Sequence, residues 1–537
     1  MTRTKDDPGG SNPNTISLSL SHSAPSSLMK TSLAQTASRL LLPPSSPASA
    51  TALLSRRSFS MSSSTTSSSS TTRKPSRLVG NHASRIHEEL SKGIDVWTLF
   101  GQGFGHTDNV NLGQGFMNFP PPPYVKQAIT KALNERVDVH HYAHAKGVPR
   151  LRKAIADFYS KSYRKPADTE KDIYQPADPN ALPQRRPDAG VPLNPDTDIS
   201  VHPGANQGMY CILGAFLEPG DEVITFEPAF DQYHCEATFN NGVPVYVPLI
   251  PPSFDSPNNK SGPAGNMPSS NDWQVDWDAL EKAMASPKAK AIIYNSPHNP
   301  LGKVFTEAEL SRFAALCIKY DLLVLADEVY DCLTYDGVEH IRLATFEGMW
   351  ERTITIGSAG KSFAATGWRV GWCVGPPHLI HPTSIVHVRI SFCTNHAASV
   401  AAAIGLEEAE AHDFFPTQIK EYAERRQTIC KALDDVGLPY SFPEGGYFVM
   451  VDGTAIDVPK DFEAPAEIEK RPADYKIAWF LATKIGITTI PASAFYSDAH
   501  AVAGEGYIRF SFCKDGDLER AAERLQKLKP YLKSKPA

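Results

Sequence analysis

Residues 353–363 read Thr353-Ile354-Thr355-Ile356-Gly357-Ser358-Ala359-Gly360-Lys361-Ser362-Phe363. The run 353–356 has the β-branched character of a buried strand, and small residues follow it. Lys361 therefore stands just past the carboxyl end of a strand, in a setting where a planar ring can lie against the backbone. Ser358 before it and Arg369 after it suit an anion. Gly360-Lys361-Ser362 also resembles the end of a nucleotide-binding P-loop. That motif needs a glycine where Thr355 stands, so the reading fails.

The pattern extends in both directions. Residues 222–226, 243–248, 289–295 and 322–326 read as strands, the last entirely apolar. Between them, 125–133, 151–159, 207–217, 276–284 and a segment capped by Thr306 and running to Tyr320 carry apolar residues at helical spacing. Strands buried on both faces and separated by helices predict an α/β fold with a mostly parallel sheet. Residues 83–99 read as an opening helix. Residues 110–119 lead into Pro120-Pro121-Pro122-Pro123, a stiff connector. The domains expected are a leader over 1–77, an arm and part of a small domain over 78–123, a large domain over 124–382 and a smaller α+β domain over 383–537. Pro-rich insertions at 164–198 and 251–271 interrupt the large domain, and 457–474 interrupts the small one.

A chain of 537 residues allows two or more domains, and its net charge of −6 gives no reason to expect nucleic acid. No apolar run has the roughly 20 residues of a membrane span. The cysteines at 211, 235, 317, 332, 373, 393, 430 and 513 are scattered without a C-x-x-C pair, so neither a disulfide frame nor a metal site is expected. The leader is different. It is rich in Ser, Thr and Pro, holds Arg3, Arg39, Arg56, Arg57 and Arg73, and has only Asp6 and Asp7 as acids. That is the composition of an organellar transit peptide, with Met61 as a second possible start. The expected location is the mitochondrial matrix and/or the cytoplasm.

Several residues converge on one cofactor, pyridoxal 5′-phosphate. It needs an amine for its aldehyde, a carboxylate at the ring nitrogen, donors at the 3-oxygen, an anion cradle and a flat apolar face. Lys361 offers the amine, to be held as a Schiff base. Asp327 ends strand 322–326, where a poorly solvated carboxylate wants a cationic partner. Tyr330 and Asn299 suit the 3-oxygen. Gly204-Ala205-Asn206 precede a helix start, whose free amides suit a dianion together with Ser358 and Arg369. Phe230 suits the ring face. Arg509, in Tyr507-Ile508-Arg509-Phe510-Ser511, is a natural fork for a substrate carboxylate.

From about residue 93 to 528 the chain resembles the fold type I, class I aminotransferases, and within them the kynurenine–oxoglutarate transaminase group (glutamine transaminase K, cysteine-conjugate β-lyase). The resemblance rests on Asn111-Leu112-Gly113-Gln114-Gly115-Phe116, Asn299-Pro300-Leu301-Gly302-Lys303, Asp327-Glu328-Val329-Tyr330 and the stretch from Met349 through Trp372. It implies transamination of L-kynurenine, glutamine and aromatic or sulfur amino acids with a 2-oxo acid, with β-lyase side activity. It also implies that Gly115 contacts the substrate carboxylate and Trp97 walls the side-chain pocket. It implies further that Tyr142 and Phe392 are lent across a homodimer to shared active sites. Met117, Asn118, Cys393 and Asn206 depart from the usual family residues and are expected near the substrate mouth. Arg389 is a weaker candidate for the pocket. A lyase on the same fold, a general aromatic- or aspartate-type aminotransferase of that fold, or a regulator using the fold as an effector domain, are the competing readings; the last needs a basic module upstream that the leader does not show.

Overall fold

The computed structural model describes residues 83–86, 89–90, 93–101, 108–163, 165, 181–186, 190–254, 262 and 267–533. The leader and most of the two large-domain insertions lie outside the described residues. The strands are β1 Val110–Asn111, β2 Ile199–His202, β3 Glu222–Glu227, β4 Val243–Pro248, β5 Ala289–Asn295, β6 Leu323–Asp327, β7 Thr353–Ser358, β8 Gly371–Val374, β9 Tyr440–Ser441, β10 Phe448–Asp452, β11 Ile487–Thr488, β12 Ile490–Pro491 and β13 Tyr507–Ser511.

Seven of them form the main sheet, in the order β2-β8-β7-β6-β5-β3-β4. Strands β4, β3, β5, β6 and β7 are mutually parallel, and β8 runs antiparallel between β7 and β2. The fold is thus α/β with a mostly parallel, mixed sheet. The alternation along β6 explains why its sequence is apolar throughout. Leu323 and Leu325 enter the core on one face, while Val324 and Ala326 enter the core on the other. Strand β5 repeats the pattern with Ala291 and Ile293 against Ile292 and Tyr294.

A second sheet, β12-β13-β10-β9, is built from the C-terminal part of the chain. Segment 108–119 is stitched to the same part of the chain: β1 pairs with β11 in a separate two-stranded sheet, and the Ser511 amide of β13 donates to the Leu112 carbonyl at 2.7 Å. Among the described residues no helix is long and apolar enough to cross a membrane.

Three local expectations change. Residues 83–99 are not one helix: a short turn at Ser84–Ile86 and a helix at Val96–Gly101 flank Gly93, whose φ of +72° breaks the helical path. The last proline of Pro120–Pro123 does not extend the connector but opens helix Pro123–Glu135, where its missing N–H has no intrahelical partner to lose. Strand β2 follows the 164–198 insertion directly and was not expected.

Thr306 does cap the helix before β6, now bounded as Glu307–Lys319. Its Oγ1 accepts from the Glu309 amide at 3.2 Å, and Glu309 Oε2 accepts from the Thr306 amide at 2.9 Å. Thr306→Ala is expected to lower stability by about 1 kcal/mol, read as a fall in the urea midpoint, with steady-state kinetics unchanged at 25 °C.

Candidate active site

The carboxyl ends of parallel strands lie side by side, and the loops leaving them carry the chemistry. Strand β3 leads to Phe230, β5 to Asn299, β6 ends on Asp327 with Tyr330 after it, and β7 ends on Ser358 ahead of Lys361. These residues line a cavity of about 530 Å³ with Trp97, Gly115, Ala205, Asn206, Arg369 and Arg509. A larger hollow of about 890 Å³ lies between helices Pro123–Glu135 and Phe414–Val436 and gathers none of the candidate residues. Side-chain chemistry, not volume, decides between them.

Lys361 Nζ donates to Tyr447 Oη at 3.0 Å and approaches the Gly115 carbonyl at 3.4 Å. Tyr447 Oη itself donates to that carbonyl at 2.9 Å. Burial pushes the amine down to about 8, so it gives up its proton more readily than a solvated lysine. Gly115 must be glycine, because a Cβ there would sit 2.6 Å from Phe448 Cζ.

Asp327 is 4 % exposed. Its Oδ2 accepts from Tyr233 Oη at 2.6 Å and its Oδ1 from the Val329 amide at 3.3 Å. Burial nonetheless pushes the carboxyl up to about 6. The two hydrogen bonds only partly replace water, so the group would gain from a nearby cation.

Arg509 is 1 % exposed. Nη1 donates to Asn299 Oδ1 at 2.9 Å and Nη2 to the Gly113 carbonyl at 2.5 Å, while Nε has no partner. The rings of Phe448, Phe495 and Trp97 surround it at 4.1, 4.6 and 5.4 Å. Burial pushes the guanidinium down to about 10. Among the described residues no carboxylate is in ion-pair contact with this buried fork, so its geometry suits one.

Another part of the cavity wall suits a different anion. Helix Ala205–Phe216 begins there, with Ala205 and Asn206 lining the wall. Gly204 has φ of +86°, and a Cβ on it would meet Arg369 Nη2 at 2.3 Å, so the missing side chain is what lets the guanidinium reach the helix start.

Two candidates are not in the cavity of their own chain. Tyr142 is 82 % and Phe392 49 % exposed, and their rings pack edge to face at 5.1 Å. Of the unusual residues, only Asn206 lines the cavity. Met117 is buried in the core, Asn118 Nδ2 donates to the Asp515 carbonyl at 2.9 Å, and Cys393 packs against the cluster around Phe363; these three are corrected away from the substrate mouth of this chain. Arg389 is exposed and lies outside the cavity. Sequence reading missed Tyr233, Tyr447 and Phe448. Tyr233, one turn after Phe230 in the helix leaving β3, was within reach of the same strand-end reasoning.

Residues 107–525 match the family described as aminotransferase class I and II. The chain is similar to the kynurenine–oxoglutarate transaminase of Dictyostelium discoideum, with 37% identity over 445 residues, 82% of this chain and 95% of that protein. It is 36% identical to kynurenine–oxoglutarate transaminase 3 of Homo sapiens, over 81% of this chain and 88% of that one. A solved structure from Saccharomyces cerevisiae superposes with a TM-score of 0.73 at 34% identity, covering 83% of this chain and 99% of its own. N-succinyldiaminopimelate aminotransferase from Mycobacterium tuberculosis superposes with a TM-score of 0.68 at 29% identity, covering 83% and 100%.

The raised Asp327 carboxyl has a stability consequence. The folded chain holds this proton more tightly than the unfolded chain, so stability falls as pH rises from the ordinary carboxylate value, about 4, to about 6. The full effect is roughly 3 kcal/mol at most. In ligand-free protein, the stability of wild type relative to Asp327→Asn is expected to drop across that window in urea titrations. A flat difference would mean that the carboxylate is not desolvated.

Proposed function

The chain belongs to the aminotransferase class I and II family, and from that footing we propose that it transfers the amino group of L-kynurenine to a 2-oxo acid, using pyridoxal 5′-phosphate. One observation carries the reading: a lysine amine lowered to about 8 shares a cavity with a buried carboxylate at 327 and a buried arginine at 509 that has no ion-pair contact among the described residues. The family is pyridoxal-phosphate-dependent, and the residues present fit that group. Asp327 lacks the cation its burial calls for, and the Gly204 gap beside Arg369 at a helix start suits a phosphate dianion. Lys361 would hold the aldehyde, Tyr330 and Asn299 the 3-oxygen, Phe230 the ring face, and Ser358, Ala205, Asn206 and Arg369 the phosphate.

When bound, pyridoxal phosphate supplies an electron-accepting ring that makes the α-hydrogen of an amino acid acidic. The protein does the rest. Arg509 binds and orients the substrate carboxylate, with Asn299 holding the guanidinium in place. Trp97 and Phe448 exclude water around that contact. Lys361 Nζ, with Tyr447 Oη and the Gly115 carbonyl fixing its direction, takes the proton from the substrate α-carbon and returns it later. The relatives named for kynurenine support that donor. Glutamine and β-lyase activities are carried as extensions of the same proposal.

The exposed pair Tyr142 and Phe392 supports a homodimer in which each chain completes its partner's site, and the leader's composition supports mitochondrial as well as cytoplasmic forms. Light scattering should give twice the chain mass, and a monomer that turns over would unseat the shared site.

Two outcomes are expected from purified protein. L-kynurenine with 2-oxoglutarate should give the cyclised product of its oxo acid, and Lys361→Ala should abolish this while leaving the fold intact. Arg509→Lys keeps the charge but loses the fork, so KM for the amino donor should rise about 10- to 100-fold. Turnover of aspartate alone would overturn the kynurenine reading.

A further inference from the structure

Trp97 reaches the cavity from the N-terminal side of the chain, yet it is held by a residue of the large domain. Its Nε1–H donates to Asp231 Oδ2 at 2.6 Å, across 134 positions of sequence. Asp231 follows Phe230 directly and lines a second hollow of about 500 Å³ behind the wall that Trp97 and Phe230 form. Its other oxygen, Oδ1, is buried and has no hydrogen-bond partner. Burial raises this carboxyl, and the Trp97 hydrogen bond and the positive charge of Arg509 work against that rise.

The segment carrying Trp97 is short and is anchored through its neighbours rather than through the indole. Helix Val96–Gly101 has six residues, too few to be stable alone. Asp95 Oδ1 caps it by accepting from the Thr98 amide at 2.8 Å, and buried Phe100 packs against the rings of Tyr475 and Trp479 at 6.0 and 6.3 Å. Arg471 Nη2 ties the backbone just before it through the Ile94 carbonyl at 2.7 Å, but that leaves the indole free to turn. Among the described residues the indole also meets the Phe495 ring edge to face at 6.3 Å and the Arg509 guanidinium at 5.4 Å. Both contacts are weaker than a hydrogen bond to a carboxylate, so the hydrogen bond to Asp231 is the strongest of those that set which way the ring edge faces.

We propose that Asp231 is a positioning residue for aromatic amino donors: it clamps the Trp97 indole as a fixed wall beside the carboxylate-binding Arg509, and so sets affinity for a flat side chain. The inference rests on the aminotransferase reading and goes beyond it by assigning a role to a carboxylate that touches neither substrate nor cofactor. Without the clamp, Trp97 has to be ordered by each substrate that binds, and this appears in KM rather than in kcat.

The test is a double-mutant cycle on steady-state kinetics of the holoenzyme, with L-kynurenine and L-phenylalanine as donors. A hydrogen bond to a charged group is worth roughly 1.5–3 kcal/mol, which corresponds to about 10- to 100-fold. Asp231→Leu is expected to raise KM for both donors by at least about tenfold, with kcat within about twofold of wild type and the cofactor's visible absorption unchanged. Trp97→Phe keeps a ring but loses the donor, and should raise KM by a similar factor; its kcat is free to change, because Trp97 itself lines the cavity. The double variant should be no worse than either single one, because both remove the same contact. Asp231→Asn retains an acceptor for the indole N–H and should restore KM to near the wild-type value; it also keeps the proposal open to refutation if the leucine variant does not fold. Independent, multiplying effects of the two substitutions, an asparagine variant as impaired as Trp97→Phe, or a fall in kcat and cofactor binding together would each overturn it. Wild type that accepts phenylalanine but not kynurenine would unseat the kynurenine reading instead, and the cycle is then read on phenylalanine.

Discussion

Two groups of opposite charge, neither of them well solvated, stand at the ends of neighbouring parallel strands. Asp327 closes β6 and Lys361 follows β7, and the sheet register that pairs Asp327 with Ile356 fixes both. Burial drives the acid up and the amine down, so each is held closer to neutrality than water would allow. That is a costly arrangement in an empty cavity and a useful one around a cationic ring. The flanking features serve it: the Gly204 gap, the hydroxyl pair of Tyr233 and Tyr447, and the aromatic enclosure of Arg509.

Two separate cationic groups line the cavity with Lys361 and Asp327: Arg509, which suits a carboxylate, and Arg369 beside a helix start, which suits a dianion. On the proposed reading the first takes the amino donor and the second the cofactor, and binding energy gained at both is available to position the bond that reacts beside the Lys361 amine.

Much of this was legible in the sequence, for a physical reason. Lys361, Asp327, Asn299 and Phe230 each follow a buried strand within a few residues, so apolar runs point to them. What stayed hidden depends on chain segments that meet only after folding. Tyr447 reaches Lys361 across 86 positions and Gly115 across 332, and no local pattern announces either contact. Strand β8 escaped notice because Gly371-Trp372-Cys373-Val374 reads as part of the lysine motif, only three residues after the short turn Thr366–Trp368. The opening helix was overcalled at 83–99 because apolar spacing alone does not register what Gly93 does to the backbone. Met117, Asn118 and Cys393 were expected at the mouth from the family resemblance, as positions that depart from its usual residues. Their side chains instead turn to the core or to Asp515.

The central claim is that vitamin B6 aldehyde is carried on one amine. Borohydride reduction of the purified holoenzyme, followed by proteolysis and mass mapping, tests it most directly. The cofactor's mass should be found on the peptide containing Lys361 and nowhere else. A label on another lysine, or an unlabelled protein that still transfers amino groups, would contradict it.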